Sequence, residues 1–303
     1  MRKESASRGL ILSFPESREV AARVAAAADL DFDEIAVHQF PDGESRIALP
    51  CCLPEDVHIY RSLDNPNEKL VELILAAATS RQLGAVRLAL VAPYLCYMRQ
   101  DKAFNPGEAV SQRVIGKLLA DYFDAVVSVD PHLHRVHRLA DAIPLKSAVS
   151  ITAAEAMSEY LEGRLENPIL IGPDEESEQW VASIALRSKL EYYVASKQRI
   201  GDKEVVVSLP RAAYGGRHVV LVDDIASTGR TLAAASRELS RYQPASITVM
   251  VTHALFVGDA LAKIKAAGVD EVWSCDSIVH PSNRISLAGS LAQALRGLAD
   301  QTS

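Results

Sequence analysis

The stretch VVLVDDIASTGRTL, residues 219–232, decides how the fold of this chain is interpreted. Its four leading apolar residues are typical of a buried strand, and a helix is predicted over residues 231–241. The turn between them, predicted to run from Asp223 to Arg230, joins the carboxyl end of a strand to the amino end of a helix. In open parallel sheets ligands bind at that position, and the unpaired N–H groups and dipole of the helix favour a phosphate.

The residues of this turn match the needs of a phosphorylated sugar. Ser227, Thr228 and Thr231 provide hydroxyl groups that can donate hydrogen bonds to a phosphate. Gly229 carries no Cβ, so it allows the backbone to approach the ligand closely.

The paired carboxylates of Asp223 and Asp224 would repel a phosphate, so we expect them to accept hydrogen bonds from sugar hydroxyls one step away. The alternative interpretation is a strand end followed by ordinary helix capping by Asp, Ser and Thr. The apolar run, both acids and S-T-G-x-T at this spacing together favour the sugar-phosphate site.

The composition restricts the classes of partner. The 303 residues allow one or two domains, and 49% hydrophobic content with only 6% aromatic residues predicts a core of Ala, Val, Leu and Ile. The formal net charge of -7 argues against a nucleic acid or an anionic membrane as the main partner. A small anionic ligand is compatible with this charge, because local basic groups and backbone amides can bind it.

The sequence favours a cytoplasmic location. Cys51 and Cys52 are adjacent and Cys96 and Cys275 stand alone, so no spacing typical of a zinc site or a disulfide scaffold is present. The segment 1–14 has too short an apolar run for a signal peptide. No window approaches the roughly 18 uninterrupted apolar residues of a membrane-spanning helix.

Short apolar runs alternate with Ala- and Leu-rich helical stretches along the whole chain. Fully apolar strands between helices indicate parallel α/β sheets covered on both faces. Strands are predicted at 9–14, 85–92, 125–129, 168–171, 218–222, 247–252 and 271–275, and helices at 17–28, 68–81, 109–122, 151–161, 177–187, 231–241 and 258–267.

The two halves of the sequence show a weak repeat. A shift of 160 aligns residues 57–92 with residues 217–252 and places His58 on His218. Few identities support this alignment, and Ala-rich helices align easily by chance.

A second pair of segments supports the same repeat at a different shift. DAVVSVDPHLH (124–134) and DEVWSCDSIVH (270–280) share D-x-V-x-S-x-D and a final histidine. We therefore expect two tandem α/β domains, residues 1–147 and 148–303.

Several segments together resemble the ribose-phosphate pyrophosphokinase family. The 219–232 stretch is similar to the phosphoribosyl pyrophosphate (PRPP) motif that these enzymes share with type I phosphoribosyltransferases. HQFPDGESRIALP (38–50) and APYLCYMRQDK (92–102) resemble two ATP-site segments that plain phosphoribosyltransferases lack. SVDPHLH, IGPD and SKQR follow in the family's order, so the resemblance spans nearly the whole chain.

The resemblance implies two phosphoribosyltransferase-type domains, each a mainly parallel sheet flanked by helices. It implies an enzyme that moves the β,γ-pyrophosphoryl group of MgATP to the anomeric hydroxyl of ribose 5-phosphate, giving PRPP and AMP. Mg²⁺ is the implied cofactor, and relatives that are dimers to hexamers imply a homo-oligomer. The residues implied to bind ribose 5-phosphate are Arg199, Asp223, Asp224, Ser227, Thr228, Gly229, Arg230 and Thr231.

The ATP-site segments can be interpreted from their residues as well. FPDGE has the turn residues of a hairpin tip, where Phe40 could stack on a purine and Asp42 and Glu44 could accept from its amino group or a ribose. RQDK is a charged loop after an apolar strand, equally compatible with a solvated loop. The resemblance implies that ATP contacts Phe40, Asp42, Gly43, Glu44, Arg99 and Gln100.

His132 and Asp174 each follow a predicted strand, where lone polar residues are more often structural. The resemblance implies that both contact metal. Pro131 and the EESEQW segment after Asp174 depart from the family pattern, which weakens Asp174 most.

The charged segment ASKQRIGDKEVVVSL, residues 195–209, is typical of a solvated hairpin. The resemblance makes it a mobile catalytic loop, with Lys197 and Arg199 directed at the transferring phosphates.

Two alternatives remain open from the sequence. A type I phosphoribosyltransferase that consumes PRPP would need no ATP site, so FPDGE and RQDK argue against it. A non-catalytic, nucleotide-sensing relative would not need the K-x-R and Asp-Asp pairs.

Overall fold

The computed structural model describes residues 9–133, 135–200 and 204–300. The chain divides into two compact units, Met1–Ile151 with Leu287–Ser303, and Thr152–Ser286. The first break comes after residue 151, four residues beyond the expected boundary at 147. The C-terminal segment Leu287–Ser303 belongs to the first unit and not to the second. The boundary between residues 147 and 148 itself stays a prediction.

Nine α-helices lie in the described part of the chain. Arg18–Ala28, Pro66–Gln82, Ser111–Tyr122 and Leu139–Ala142 are α1 to α4, and Ala288–Asp300 is α9, all in the first unit. The second unit holds Ala154–Leu161, Glu178–Ser188, Arg230–Ser240 and Ala260–Ala266, which are α5 to α8. No helix among the described residues is long and apolar enough to cross a membrane.

The first unit is built on a six-stranded, wholly parallel sheet of order β2-β1-β5-β6-β7-β8. A separate antiparallel hairpin, β3 with β4, leaves this sheet between β2 and β5. The strands are Leu10–Ser13 (β1), Asp31–Glu34 (β2), Ala36–Gln39 (β3), Ser45–Ala48 (β4), Asp56–Tyr60 (β5), Arg87–Val91 (β6), Ala125–Val129 (β7) and Ser147–Ile151 (β8).

The second unit repeats this plan with the parallel sheet β10-β9-β13-β14-β15-β16 and the antiparallel hairpin β11 with β12. Its strands are Ile169–Gly172 (β9), Tyr192–Val194 (β10), Ser196–Ile200 (β11), Glu204–Ser208 (β12), His218–Ala226 (β13), Ser246–Ala254 (β14), Glu271–Cys275 (β15) and Asn283–Ile285 (β16).

One local contact appears in both units at the same place in the plan. Asp124 before β7 accepts a hydrogen bond from the Leu88 amide on β6 at 2.7 Å, and its own amide donates to the Leu88 carbonyl at 2.9 Å. Asp270 before β15 makes the same two bonds with Ile247 on β14, at 2.8 Å and 2.9 Å. The shared order and this shared contact confirm the repeat that the sequence suggested.

The core has the composition that the sequence predicted. The leading residues of the β13 run, Val219, Val220, Leu221 and Val222, are fully buried because parallel sheets are covered on both faces. Helices pack through small residues; Ala21 and Ala25 of α1 are buried one turn apart.

Strand β13, which carries Asp223 and Asp224, is longer than predicted. β13 pairs with β14 as far as Ala226 opposite Ala254, so Asp223 and Asp224 lie within the strand. The prediction of a turn from Asp223 to Arg230 was therefore wrong, and only residues 227–229 connect β13 to α7. The carboxylates are consequently fixed by sheet pairing and are not part of a loop.

Replacing a helical glycine by alanine should change stability in opposite directions at two positions of this chain. A Cβ on Gly116 in α3 would lie 2.0 Å from the Ala142 carbonyl oxygen, whereas a Cβ on Gly297 in α9 would meet no atom within 4 Å. Gly116→Ala should destabilise the protein by about 1–3 kcal/mol, because backbone must move. Gly297→Ala should stabilise it by about 0.5–1 kcal/mol. Urea unfolding measures the change in unfolding free energy for each variant. A Gly116→Ala protein as stable as the wild type would contradict the close packing of α3 against Ala142.

Candidate functional site

The turn between β13 and α7 is held open at the carboxyl edge of the second sheet. The Phe256 amide donates to the Ala226 carbonyl at 2.8 Å, and the Val257 amide donates to the Ser227 carbonyl at 3.0 Å. The first intrahelical bond runs from the Ala233 amide to the Gly229 carbonyl at 2.9 Å. The amides that precede Ala233 have no intrahelical acceptor, which is the arrangement that binds a phosphate.

The side chains of this turn differ in how accessible they are. Thr228 and Arg230 are exposed, and Ser227 and Thr231 are half-buried. The structure therefore brings four of the predicted phosphate contacts to one helix terminus.

Gly229 has a packing role that the sequence did not reveal. Its φ is +69°, a left-handed conformation that favours glycine. A Cβ there would lie 2.8 Å from Cδ1 of Ile264 and 3.2 Å from the Ala260 carbonyl oxygen, both in α8. The glycine thus lets the start of α7 pack against α8, independently of any ligand.

Three carboxylates lie beside the turn, two of them within β13 and one just past the neighbouring strand β9. Asp224 in β13 and Asp174, two residues past β9, are buried, and Asp223 is half-buried. Burial, and then the negative charges of Asp224 and Asp174, raise the pKa of Asp223 well above its usual value. Oδ1 of Asp223 accepts a hydrogen bond from the Asp224 amide at 2.9 Å. The cluster is therefore short of positive charge.

Lys197 supplies one of the missing charges. Its Nζ donates to Oδ2 of Asp174 at 2.8 Å, and the two side chains are 18% and 10% exposed. Lys197 lies on β11 of the hairpin predicted from the sequence, which the structure confirms. Arg199 lies on the same strand opposite Val205, but its side chain lies outside the described residues.

The unusual residues after Asp174 do not fill the cluster. Glu175–Ser177 form a 3-10 turn that begins at Asp174, and α6 follows directly. Glu175, Glu176 and Glu178 are exposed, so the additional acids face solvent.

The cluster has the donor chemistry of a magnesium site but not a complete ligand set. In the described part of the chain, no group of three or more His, Cys, Asp or Glu side chains is arranged to hold a metal ion. Mg²⁺ is usually bound by one or two carboxylates together with substrate phosphates. The carboxylate oxygens fit that mode, whereas His132, half-buried in the first unit, offers a nitrogen.

The FPDGE segment forms the tip of the β3–β4 hairpin. The Phe40 amide donates to the Glu44 carbonyl at 2.7 Å, and Gly43 takes the left-handed φ of +92° that the turn requires. Phe40 is 40% exposed and meets His38 edge to face at 4.9 Å between ring centroids. Asp42 and Glu44 are exposed. The hairpin is confirmed, and its ATP contacts stay a prediction.

The RQDK segment contains a structural residue that sequence reasoning missed. Arg99 is exposed, and the Gln100 side-chain oxygen accepts a hydrogen bond from Ser111 at 3.3 Å. Asp101 is buried and accepts from Nη1 of Arg135 at 2.6 Å and from the Arg135 amide at 3.2 Å.

This ion pair fixes the segment that follows His132 against the RQDK segment. Burial alone would raise the pKa of Asp101, but the amide bond, charge and side-chain bond of Arg135 lower it overall. The sequence showed only that Asp101 is an acid in a charged tetrapeptide. Nothing in it indicated that Arg135, 34 residues later, is the partner of Asp101.

Known proteins resemble this chain over nearly its whole length. Residues 10–122 match the family model for the N-terminal domain of ribose phosphate pyrophosphokinase, and residues 141–286 match the phosphoribosyl transferase domain model. The ribose-phosphate pyrophosphokinase of Methanopyrus kandleri is 31% identical over 95% of this chain and 99% of its own length. That of Methanobrevibacter smithii is 30% identical, over 95% of this chain and all of its own.

A solved structure has the same fold. The crystal structure of phosphoribosylpyrophosphate synthetase from Mycobacterium smegmatis superposes with a TM-score of 0.80, at 21% identity, over 97% of this chain and 100% of that one. At this coverage the shared fold includes both units.

Asp223 gives a prediction for stability against pH. An acid whose folded pKa is raised costs stability as pH rises above its unfolded pKa of about 4. Asp223→Asn should therefore be more stable than the wild type near pH 8, with the gain shrinking as pH falls toward 5.

The matched control is Asp259→Asn, an exposed position. A hydrogen bond from Lys263 lowers the pKa of Asp259, so its replacement should cost a little stability at neutral pH. The free energy of unfolding, measured by urea titration between pH 5 and pH 8, tests both expectations. If it varied with pH equally in the wild type and in Asp223→Asn, the raised pKa of Asp223 would be refuted.

Proposed function

This chain belongs to the ribose-phosphate pyrophosphokinase family, and on that basis we propose how its own residues perform the family's reaction. The reaction moves the β,γ-pyrophosphoryl group of MgATP to the anomeric hydroxyl of ribose 5-phosphate, giving PRPP and AMP. The observation that carries the proposal is the meeting of an open helix terminus, a carboxylate pair and an ion-paired lysine at one sheet edge.

Ribose 5-phosphate would bind at the turn after β13. Ser227, Thr228, Gly229, Arg230 and Thr231 present amides, hydroxyls and one guanidinium to the phosphate. Asp223 and Asp224, fixed within the strand, would accept hydrogen bonds from the ribose hydroxyls. The ribose hydroxyls would donate hydrogen bonds to these carboxylates and so partly offset their crowded negative charge.

ATP would be bound through the first unit. Phe40 presents an exposed ring for the purine, and Asp42, Gly43 and Glu44 complete the hairpin tip. Arg99 and Gln100 would contact phosphate and base, with their segment held by the ion pair from Asp101 to Arg135.

Mg²⁺ would neutralise phosphate charge on ATP when bound. We propose two separate metal contacts: a carboxylate oxygen of Asp174 in the second unit, and a ring nitrogen of His132 in the first, each directly or through water. In this structure Lys197 donates to Oδ2 of Asp174, so the lysine and a metal ion would compete for that carboxylate.

The catalytic proposal rests on the positions of Lys197 and Arg199 on β11. The anomeric oxygen attacks the β-phosphorus, so negative charge is redistributed over the oxygens around the breaking bridge. Lys197 and Arg199, on one strand of the β11–β12 hairpin, would stabilise this charge and exclude water. Lys197 would thus exchange the Asp174 carboxylate for substrate phosphate during each turnover.

Assembly and location are further proposals. We expect a homo-oligomer, and Val71 and Leu75 leave apolar surface exposed on one face of α2. A mass of 32.8 kDa in sedimentation equilibrium, that of the monomer, would exclude the homo-oligomer.

We expect a cytoplasmic location, with which the four free cysteines agree. Cell fractionation tests this location.

The direct test measures AMP with each component omitted in turn. AMP should form only when ATP, Mg²⁺ and ribose 5-phosphate are present together. AMP formed without ribose 5-phosphate, or none with all three, would overturn the proposal; a phosphoribosyltransferase would instead consume added PRPP with a base.

Two reciprocal variants test the substrate assignments. Thr228→Ala should raise the KM for ribose 5-phosphate by about 5- to 150-fold, the loss of one or more charged hydrogen bonds, and leave the KM for ATP within about twofold. Phe40→Ala should show the opposite pattern. Both side chains are exposed, so stability should not change. Equal effects on both substrates in either variant would contradict the assignment.

Lys197→Ala tests the catalytic assignment. Loss of one electrostatic contact to the transition state should lower kcat by about 100- to 1000-fold, with both substrate affinities changed only a few-fold. Lys263→Ala is the control, because this lysine makes an exposed ion pair with Asp259 in the same unit. A folded Lys197→Ala protein with near-normal turnover at saturating substrates would sink the assignment.

A further inference from the structure

The hairpin proposed to bind ATP is joined to the rest of its unit by one directional side-chain contact. β3 and β4 form a two-stranded sheet of their own, and among the described residues no strand pairing links them to the parallel sheet. Val37 and Ile47 are half-buried and pack against the core, but apolar packing is non-directional. In the same part of the chain, a single hydrogen bond runs from a hairpin side chain to another element. Ser45 donates it to Oε1 of Glu72 in α2, at 2.7 Å.

This hydrogen bond holds the hairpin at the end that carries its tip. Ser45 is the first residue of β4, and its pairing with Gln39 is the last of the ladder before the turn. The FPDGE segment, residues 40–44, lies between these two residues. The orientation of the exposed Phe40 ring therefore depends on where Ser45 is held.

Glu72 is a well-fixed acceptor, because an arginine holds its other oxygen. Nη2 of Arg61 donates to Oε2 of Glu72 at 2.5 Å. Both residues are buried, at 8% exposure for Glu72 and 4% for Arg61. A buried charge is tolerated only when it is paired with good hydrogen-bond geometry, so this pair restricts the carboxylate to one orientation. Oε1 is then left to accept from Ser45.

Arg61 is in turn fixed to the carboxyl edge of the first sheet. It follows β5 directly, and its amide donates to the carbonyl of Val91, the last residue of β6, at 2.9 Å. Its Nε donates to Glu16 at 2.8 Å and its Nη1 to the Lys69 carbonyl at 3.1 Å. The guanidinium lies 3.7 Å from the centre of the Phe14 ring. Since β6 leads into the RQDK segment, both proposed ATP segments are referred to one sheet edge.

We propose that Arg61, Glu72 and Ser45 are positioning residues for the nucleotide, which together set the angle at which the β3–β4 hairpin presents its tip. They act through the hairpin and make no contact with ATP themselves. The inference rests on the ATP site proposed above and adds the residues that orient it. Orienting the hairpin before ATP binds lowers the ordering cost of binding.

Ser45→Ala tests the proposal without disturbing the buried ion pair, because Arg61 and Glu72 both remain. The KM for ATP should rise about tenfold, the effect of one hydrogen bond to a charged group. The KM for ribose 5-phosphate and kcat at saturation should stay within about twofold. Ser45→Thr keeps the hydroxyl and should retain the wild-type KM for ATP.

Thr79→Ala is the matched control. Thr79 lies in the same helix as Glu72, and its hydroxyl donates within that helix, to the Leu75 carbonyl at 2.8 Å. The variant therefore loses one hydroxyl hydrogen bond of similar length that does not reach the hairpin. Both KM values should equal those of the wild type.

Hydrogen exchange followed by mass spectrometry measures the hairpin without turnover. In the absence of ATP, residues 36–48 should exchange faster in Ser45→Ala than in the wild type or in Thr79→Ala. Unchanged exchange in Ser45→Ala would overturn the proposal. So would a wild-type KM for ATP in that variant, or an equal rise in the KM values of both substrates.

Failure of the underlying ATP site gives a different result. If the hairpin did not contact ATP, saturating ATP would not slow exchange of residues 36–48 in the wild type. If ATP slowed that exchange in the wild type while Ser45→Ala behaved normally, the positioning role alone would be contradicted.

Discussion

Three carboxylates and one ammonium group share the carboxyl edge of the second sheet, and this imbalance of charge constrains the whole site. Strand pairing fixes Asp223 and Asp224, and Asp174 begins the 3-10 turn after β9. Strand pairing thus keeps the backbones of Asp223 and Asp224 beside the end of β9. The raised pKa of Asp223 reflects the burial of its carboxyl group and the negative charges of Asp224 and Asp174. Acids with strongly perturbed pKa values cluster at functional sites.

The same plan serves two purposes along the chain. Each unit sends an antiparallel hairpin from the same point of its parallel sheet, β3 with β4 in one and β11 with β12 in the other. The first presents Phe40 at its tip, and the second carries Lys197 along a strand. Repetition of one scaffold thus accounts for both the proposed nucleotide hairpin and the proposed catalytic hairpin.

The sequence predicted the fold class, the alternation of strands and helices, and a turn between β13 and α7 that contains residues 227–229, because hydrophobic periodicity and turn chemistry are local properties. It placed the end of β13 four residues early, because two aspartates interrupt the apolar run while their backbone still pairs with β14. Long-range contacts had no local signal: the ion pair from Asp101 to Arg135, and the packing of Gly229 against Ile264.

Position-specific labelling of ATP tests the central claim, that this chain transfers a pyrophosphoryl group. In separate reactions with Mg²⁺ and ribose 5-phosphate, ATP carries ³²P at the α, β or γ position. The account predicts that the α label is recovered in AMP and that the β and γ labels are both recovered in PRPP. Transfer of the γ label alone, with ADP as the other product, would contradict it.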